Sequence, residues 1–154
     1  MDTVTYPDAQ VQEALGEHVV AAQFNTYEPN DQVKKLMRRF RQVWTPTLIF
    51  LDHHEIELRR TVGFVPPDDL VAEVGLAVGM AHLMHAEFDK AFDQFRAVRE
   101  RHGQQDAGAE ALYWAGVAAL RSNGTADELL VQWNELKTEY PHSPWWTKAS
   151  FIEG

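Results

Sequence analysis

The side chains that most often carry chemistry in proteins are unevenly represented in this chain. It contains seven histidines, 23 aspartates and glutamates, and no cysteine. The missing thiols exclude disulfides, thiolate metal sites and cysteine nucleophiles together. No phosphate-binding loop, dinucleotide-binding glycine pattern or nucleophile elbow occurs, and Ser122, Ser143 and Ser150 stand where helix capping explains them. We therefore expect no catalytic residue and no cofactor in the chain as it stands.

The histidines suggest a metal site at two places. His82 and His85 are three residues apart on one face of a predicted helix, and His53 and His54 precede Glu55 at a predicted hairpin tip. A zinc site needs three or four ligands with supporting hydrogen bonds, and no further ligand stands at a recognised spacing. Neighbouring residues of a strand or turn also point to opposite sides. We therefore expect no metal site and interpret these histidines as solvated polar residues.

One proline gives the most specific structural signal in the chain. Pro46 directly precedes the apolar run Leu48 to Leu51. Because proline lacks an N–H group, a strand in the interior of a sheet accepts it only at its beginning. Pro46 therefore predicts a turn that leads the chain into a sheet, with a cis or a trans peptide bond.

The chain also has one basic patch, made of Lys34, Lys35, Arg38, Arg39 and Arg41. Such a patch suits an acidic partner or RNA. Apolar residues alternate with the basic ones at helical spacing, however, so an amphipathic helix with a solvated basic face explains the same pattern. We favour the solvated face because the chain as a whole is acidic.

Length and composition limit the class of protein. A chain of 154 residues with 45% hydrophobic and 24% charged residues can form one ordinary domain or two small ones. The net charge of -9 argues against a general binder of nucleic acid or of anionic membranes. No apolar run approaches the roughly 18 residues of a membrane span, and Met1-Asp2-Thr3 does not begin a secretion signal. These observations predict a cytoplasmic protein that binds neither nucleic acid nor membrane.

The first half of the chain alternates helical and strand patterns. Asp8 to Gly16 has the pattern of a capped helix with Gly16 as its stop, and Val19 to Phe24 has the pattern of a short buried strand. A second helix is predicted over Gln32 to Arg41. The strand after Pro46 and a strand over Ile56 to Thr61 then form a predicted hairpin around Asp52 to Glu55.

From Pro67 onward the pattern is helical and repeats itself. Helices are predicted from Asp68 towards Met84, and over Phe88 to Arg101, Ala109 to Arg121 and Ala126 to Tyr140. Gly79, Ala91, Phe95 and Gly103 correspond in order to Gly116, Leu129, Trp133 and Pro141, and Gly79 and Gly116 stand 37 residues apart. A period of this size indicates stacked helical hairpins, in which glycines allow close approach and large rings fill the gaps.

The chain resembles two known families, one in each half. Val78 to Phe151 resembles two tetratricopeptide-type hairpins, whose repeat is about 34 residues long. Thr5 to Ala77 resembles a thioredoxin-like domain, mainly through Trp44-Thr45-Pro46-Thr47 before an apolar strand and through Gly63-Phe64-Val65-Pro66-Pro67-Asp68 before the last helix. The resemblance implies an α/β thioredoxin-like mixed sheet flanked by helices over 1–77, and all-α hairpins over 78–154.

The resemblance also implies that one strand is missing. In a bacterial thioredoxin family with this two-part layout, segments like Met1-Asp2 and Thr5-Tyr6-Pro7-Asp8 follow a Cys-x-x-Cys pair. The chain would then begin inside the first helix and lack the central strand between Val19 to Phe24 and Leu48 to Leu51. A gene start placed too late, a strand donated by a neighbouring chain, or closure of the two edges would each repair the sheet; we favour the first. Unpaired edges also predict a homodimer.

Two functions follow from the resemblance. In thioredoxin-like proteins the residue before the cis-proline offers main-chain hydrogen bonds to an extended peptide; that residue is Thr45 here, with Trp44 flanking the groove. The first hypothesis is a redox-silent scaffolding module that binds proteins or extended peptides through Trp44, Thr45 and Pro46. The second is a truncated thiol-disulfide oxidoreductase with Cys-x-x-Cys upstream of Met1. Alternatively, Trp44 and Pro46 only shape the start of the strand.

Overall fold

The computed structural model describes residues 1–153. Within this range the chain has seven α-helices, one two-stranded antiparallel sheet and a closing 3-10 helix, Ser150–Glu153. The chain divides into two compact units, Met1–Pro67 and Asp68–Gly154. All of the strand structure lies in the first unit, as the sequence predicts. The fold is therefore mixed but mostly helical.

The first unit contains helices α1, Ala9–His18, and α2, Asp31–Arg39. Asp8 caps α1 as predicted, since its carboxylate accepts hydrogen bonds from the main-chain N–H groups of Gln10 and Val11. The predicted stop at Gly16 is wrong, because α1 continues to His18. Glycine inside a helix costs only about 1 kcal/mol relative to alanine, which the neighbouring turns can outweigh.

The two strands β1, Thr47–Leu51, and β2, Glu57–Val62, form the predicted hairpin. Their register pairs Thr47 with Val62 and is interrupted by an irregularity at Phe50 and Leu51. At the turn, the Asp52 carboxylate accepts hydrogen bonds from the N–H groups of His54 and Ile56, both at 2.8 Å. This short polar side chain in a turn supplies acceptors that the backbone lacks there.

The predicted strand Val19 to Phe24 is wrong. This segment has no regular secondary structure, Val20 is fully exposed and Phe24 is half-exposed. A strand forms when a neighbour satisfies its N–H and C=O groups, and within residues 1–153 the sheet contains only β1 and β2. The buried centre of this unit is formed elsewhere, by Val11 and by Thr5, whose hydroxyl donates to the Val65 carbonyl at 2.7 Å.

The second unit is helical, as predicted, with elements α3, Pro67–Met84; α4, Phe88–His102; α5, Asp106–Asn123; α6, Asp127–Glu139; and α7, Pro144–Ala149. Helix α3 continues without a break across the predicted domain boundary between residues 77 and 78. The short helix α7 was not predicted; Ser143 caps it by accepting a hydrogen bond from the N–H of Trp145 at 3.1 Å. No helix in the described part of the chain is both long and apolar enough to cross a membrane.

The sequence repeat corresponds to a repeated contact between helices. A Cβ atom added at Gly79 of α3 would lie 2.5 Å from Cε1 of Phe95 on α4. One added at Gly116 of α5 would lie 2.7 Å from Nε1 of Trp133 on α6. Both rings are buried, and each also belongs to a larger cluster that includes residues of the next helix along the chain. The glycine and ring positions predicted to correspond therefore play the same role in both hairpins.

Candidate functional site

The candidate site is the segment Gln42 to Pro46, here called the proline loop, which joins the end of α2 to β1. The Thr45-Pro46 peptide bond is cis. Pro46 directly precedes β1, and its carbonyl accepts a hydrogen bond from the N–H of Gly63 at 2.8 Å, just beyond the end of β2. The prediction that Pro46 leads the chain into the sheet is confirmed.

Side chains hold the proline loop in one conformation. The carbonyl of Trp44 accepts hydrogen bonds from both Nε2 of Gln42 and Oγ1 of Thr47. Gln42 also donates to the hydroxyl of Thr45 at 3.1 Å, and that hydroxyl lies 2.9 Å from the hydroxyl of Thr26. Each of these contacts fixes a polar group that solvent would otherwise hydrate. The loop therefore presents a defined surface.

The main chain of Thr45 is left open by this arrangement. Across residues 1–153, neither its N–H nor its carbonyl has a hydrogen-bond partner, and the residue is exposed. The side chains beside it are also exposed, Val43 at 80% and Trp44 at 68%. A free donor and a free acceptor on one exposed residue, next to large apolar side chains, are groups with which an extended chain can pair.

A shallow groove adjoins the loop. Its volume is about 290 Å³, and it is lined by Thr26, Met37, Gln42, Val43, Trp44 and Thr45. This volume is at the lower limit of the range typical of small-molecule pockets. Apolar walls at Met37, Val43 and Trp44 with polar groups at one side suit the side chain of a bound peptide.

Each of the two pairs of histidines considered as metal ligands has contacts within its own unit. His82 pairs with Glu87, with Nδ1 at 2.6 Å from a carboxylate oxygen. The rings of His53 and His54 contact each other, with centroids 3.9 Å apart. Within either unit, as far as the structure describes it, no three metal-ligating side chains converge.

The proline loop contains all three predicted binding residues, Trp44, Thr45 and Pro46. Sequence reasoning missed Thr26, Met37, Gln42 and Val43, which complete the groove. Gln42 and Met37 lie close to the loop in the sequence, but nothing in their types marks them. Thr26 stands 19 residues before its hydrogen-bond partner Thr45, and a single sequence contains no signal for such a contact.

Comparisons of the chain with protein-family models, with curated proteins and with solved structures found no significant match. The function is therefore inferred from the geometry of the proline loop and its groove.

Proposed function

We propose that this chain is a binding module that recognises extended segments of other proteins at the proline loop. The observation that carries the proposal is the open main chain of Thr45 in a loop where the Trp44 carbonyl and the Thr45 hydroxyl are hydrogen-bonded. The chain has no cysteine, so the module is redox-silent: thiol-disulfide exchange needs a thiolate that these residues do not supply.

The bound segment pairs with Thr45 as an added strand does with a sheet. Its carbonyl accepts from the N–H of Thr45, and one of its N–H groups donates to the carbonyl of Thr45. An apolar side chain of the segment then enters the groove between Met37 and Trp44. Main-chain pairing supplies affinity for many sequences, and the groove supplies the selection among them.

The first unit is, in this proposal, a thioredoxin-like domain without its thiols. A proline at the start of a strand and the hairpin of β1 and β2 that follows it support the assignment. The second unit is a tetratricopeptide-like adaptor, supported by the repeated glycine and ring contacts of its two hairpins. Each unit then offers a surface suited to protein segments rather than to small substrates.

Binding of a fluorescein-labelled peptide, followed by fluorescence polarisation, tests this proposal. The probe is a seven-residue peptide of β-branched residues around a central phenylalanine. Trp44→Ala removes one wall of the groove, and we expect it to weaken binding about tenfold, the usual scale for truncation of an aromatic residue central to an interface. Because Trp44 is largely exposed, we expect the Trp44→Ala variant to unfold at the same temperature as the original chain.

Phe151→Ala is the matched control, because it removes another exposed aromatic ring, in the second unit. We expect this variant to bind the peptide as the original chain does. Equal affinity of the original chain and Trp44→Ala, or no binding of the peptide to the original chain, would contradict the proposed function.

A further inference from the structure

Two cations are neighbours in the sequence of residues that line the groove. Met37 of α2 lines it, and Arg38 follows Met37 about 100° further around the helix. Arg41 directly precedes Gln42, which also lines the groove. Both arginines are exposed, so their guanidinium groups are available to a ligand that occupies the groove.

In the part of the chain that the structure describes, these arginines have no carboxylate partner, unlike three other cations of the first unit. Arg39 pairs with Glu55 at 2.5 Å, Arg60 with Glu57 at 2.6 Å and Lys34 with Asp31 at 3.5 Å. Within residues 1–153, neither Arg38 nor Arg41 has an ion pair or a side-chain hydrogen bond. Their charge is therefore not neutralised locally.

We infer that the segment bound at the proline loop is acidic, with carboxylates on either side of the apolar residue that enters the groove. This inference rests on the proposed function. Five of the chain's 14 cations lie between Lys34 and Arg41, while the chain as a whole carries a charge of -9. An acidic segment is repelled by most of such a surface and attracted at this place, which directs it to the groove.

A single-stranded nucleic acid is the competing ligand, because cations beside an exposed tryptophan also suit a phosphate backbone and a stacked base. The main chain favours the peptide. Thr45 presents an unpaired N–H and an unpaired carbonyl on one exposed residue, and a peptide backbone satisfies both groups. The net charge of -9 also opposes the approach of a polyanion that contacts more than the groove.

Three peptides that differ only in charge test the inference. The acidic probe is Ser-Glu-Val-Phe-Val-Glu-Ser, and its copies carry glutamine or lysine in place of both glutamates. We expect the acidic probe to bind about tenfold more tightly than the glutamine copy at low ionic strength, the effect of two exposed ion pairs. The lysine copy binds most weakly, and salt at about 0.5 M removes the differences.

The double variant Arg38→Gln/Arg41→Gln removes the charges and retains long polar side chains. We expect it to bind the acidic probe and the glutamine copy equally, with the affinity of the original chain for the glutamine copy. Lys35→Gln is the matched control: Lys35 is an exposed cation two residues before Met37 and about 160° from Met37 around α2, further than Arg38. This variant keeps the preference for the acidic probe, and circular dichroism verifies that each variant is folded.

The outcomes separate the inference from the function on which it rests. Equal binding of all three peptides to the original chain overturns the charge preference and leaves the proposed function intact. Failure of all three to bind overturns both. Tighter binding of a labelled oligouridylate than of the acidic probe assigns the cations to nucleic acid and overturns the inference. Loss of the preference in Lys35→Gln would also contradict it, because the charge would then act without regard to position.

Discussion

At the scale of single residues, the absence of a side chain at Gly79 and Gly116 decides how closely the paired helices approach. Added methyl groups would meet buried rings at 2.5 Å from Phe95 and 2.7 Å from Trp133. Trp133 is also fixed by the hydrogen bond from its Nε1 to the Tyr113 carbonyl at 3.1 Å. We expect Gly79→Ala and Gly116→Ala each to lower the free energy of unfolding by about 1–3 kcal/mol, measured by urea denaturation.

Gly16→Ala is the matched control for these substitutions. Gly16 lies inside α1, and a Cβ atom there would meet nothing within 4 Å. We expect this variant to be more stable by about 0.5–1 kcal/mol, because alanine loses less conformational freedom in a helix than glycine. Destabilisation of all three variants by similar amounts would contradict the contacts assigned to Gly79 and Gly116.

Single residues were predicted from the sequence where local chemistry determines their place. Asp8 was found as a helix cap and Pro46 as the residue that begins a strand, since each depends on its own backbone and near neighbours. Gln42 and Thr26 were not found. Their hydrogen bonds to the proline loop depend on where the chain folds back in space, which residue type does not specify.

At the scale of elements, the corner between α3 and α4 contains a charge cluster that makes stability depend on pH. Hydrogen bonds from Lys90 and from His82 lower the pKa of the Glu87 carboxyl from 4.5 to about 2. Because the pKa in the folded chain is the lower one, the ionised carboxylate stabilises the fold above about pH 4.5. This contribution is lost as the pH falls through about 2.

Glu87→Gln tests this pH dependence. The variant retains the size of the side chain but does not titrate, so we expect its free energy of unfolding to fall less between pH 4.5 and pH 2 than that of the original chain. Urea denaturation at intervals across this range measures the difference. Parallel pH profiles of the two proteins would show that Glu87 does not contribute in this way.

The helices of the second unit were predicted because each has a long apolar period that its sequence alone displays. The strand predicted over Val19 to Phe24 failed for a reason at the same scale. Its apolar pattern is real, but a strand needs a partner, and within residues 1–153 none lies beside it. Helix α7 was missed because six residues, Pro144–Ala149, are too few to display a period.

At the scale of the whole molecule, the two-stranded sheet predicts self-association. Within the described residues β1 pairs only with β2, which leaves one edge of each strand without a neighbour. A second copy of the chain that pairs along such an edge satisfies these groups. We expect sedimentation velocity to show a dimer whose fraction increases with protein concentration. A monomer at every concentration, with protected amide hydrogens in β1, would contradict this prediction.

The sequence predicted the class of the molecule more securely than its family. A mixed first half and a helical second half follow from hydrophobic periodicity and agree with the structure. The thioredoxin-like assignment depends on a few residues around Pro46 and remains a proposal, as does the assignment of the second unit. The proposed function rests on even fewer features, chiefly on the main-chain groups of one residue, Thr45.

Peptide recognition at Thr45 is tested by an NMR titration of the ¹⁵N-labelled chain with the acidic peptide. We expect the amide of Thr45 to shift and to exchange its hydrogen more slowly on binding, together with shifts at Thr26, Met37, Gln42 and Trp44. An unchanged Thr45 amide, with shifts confined to the helices of the second unit, would contradict it.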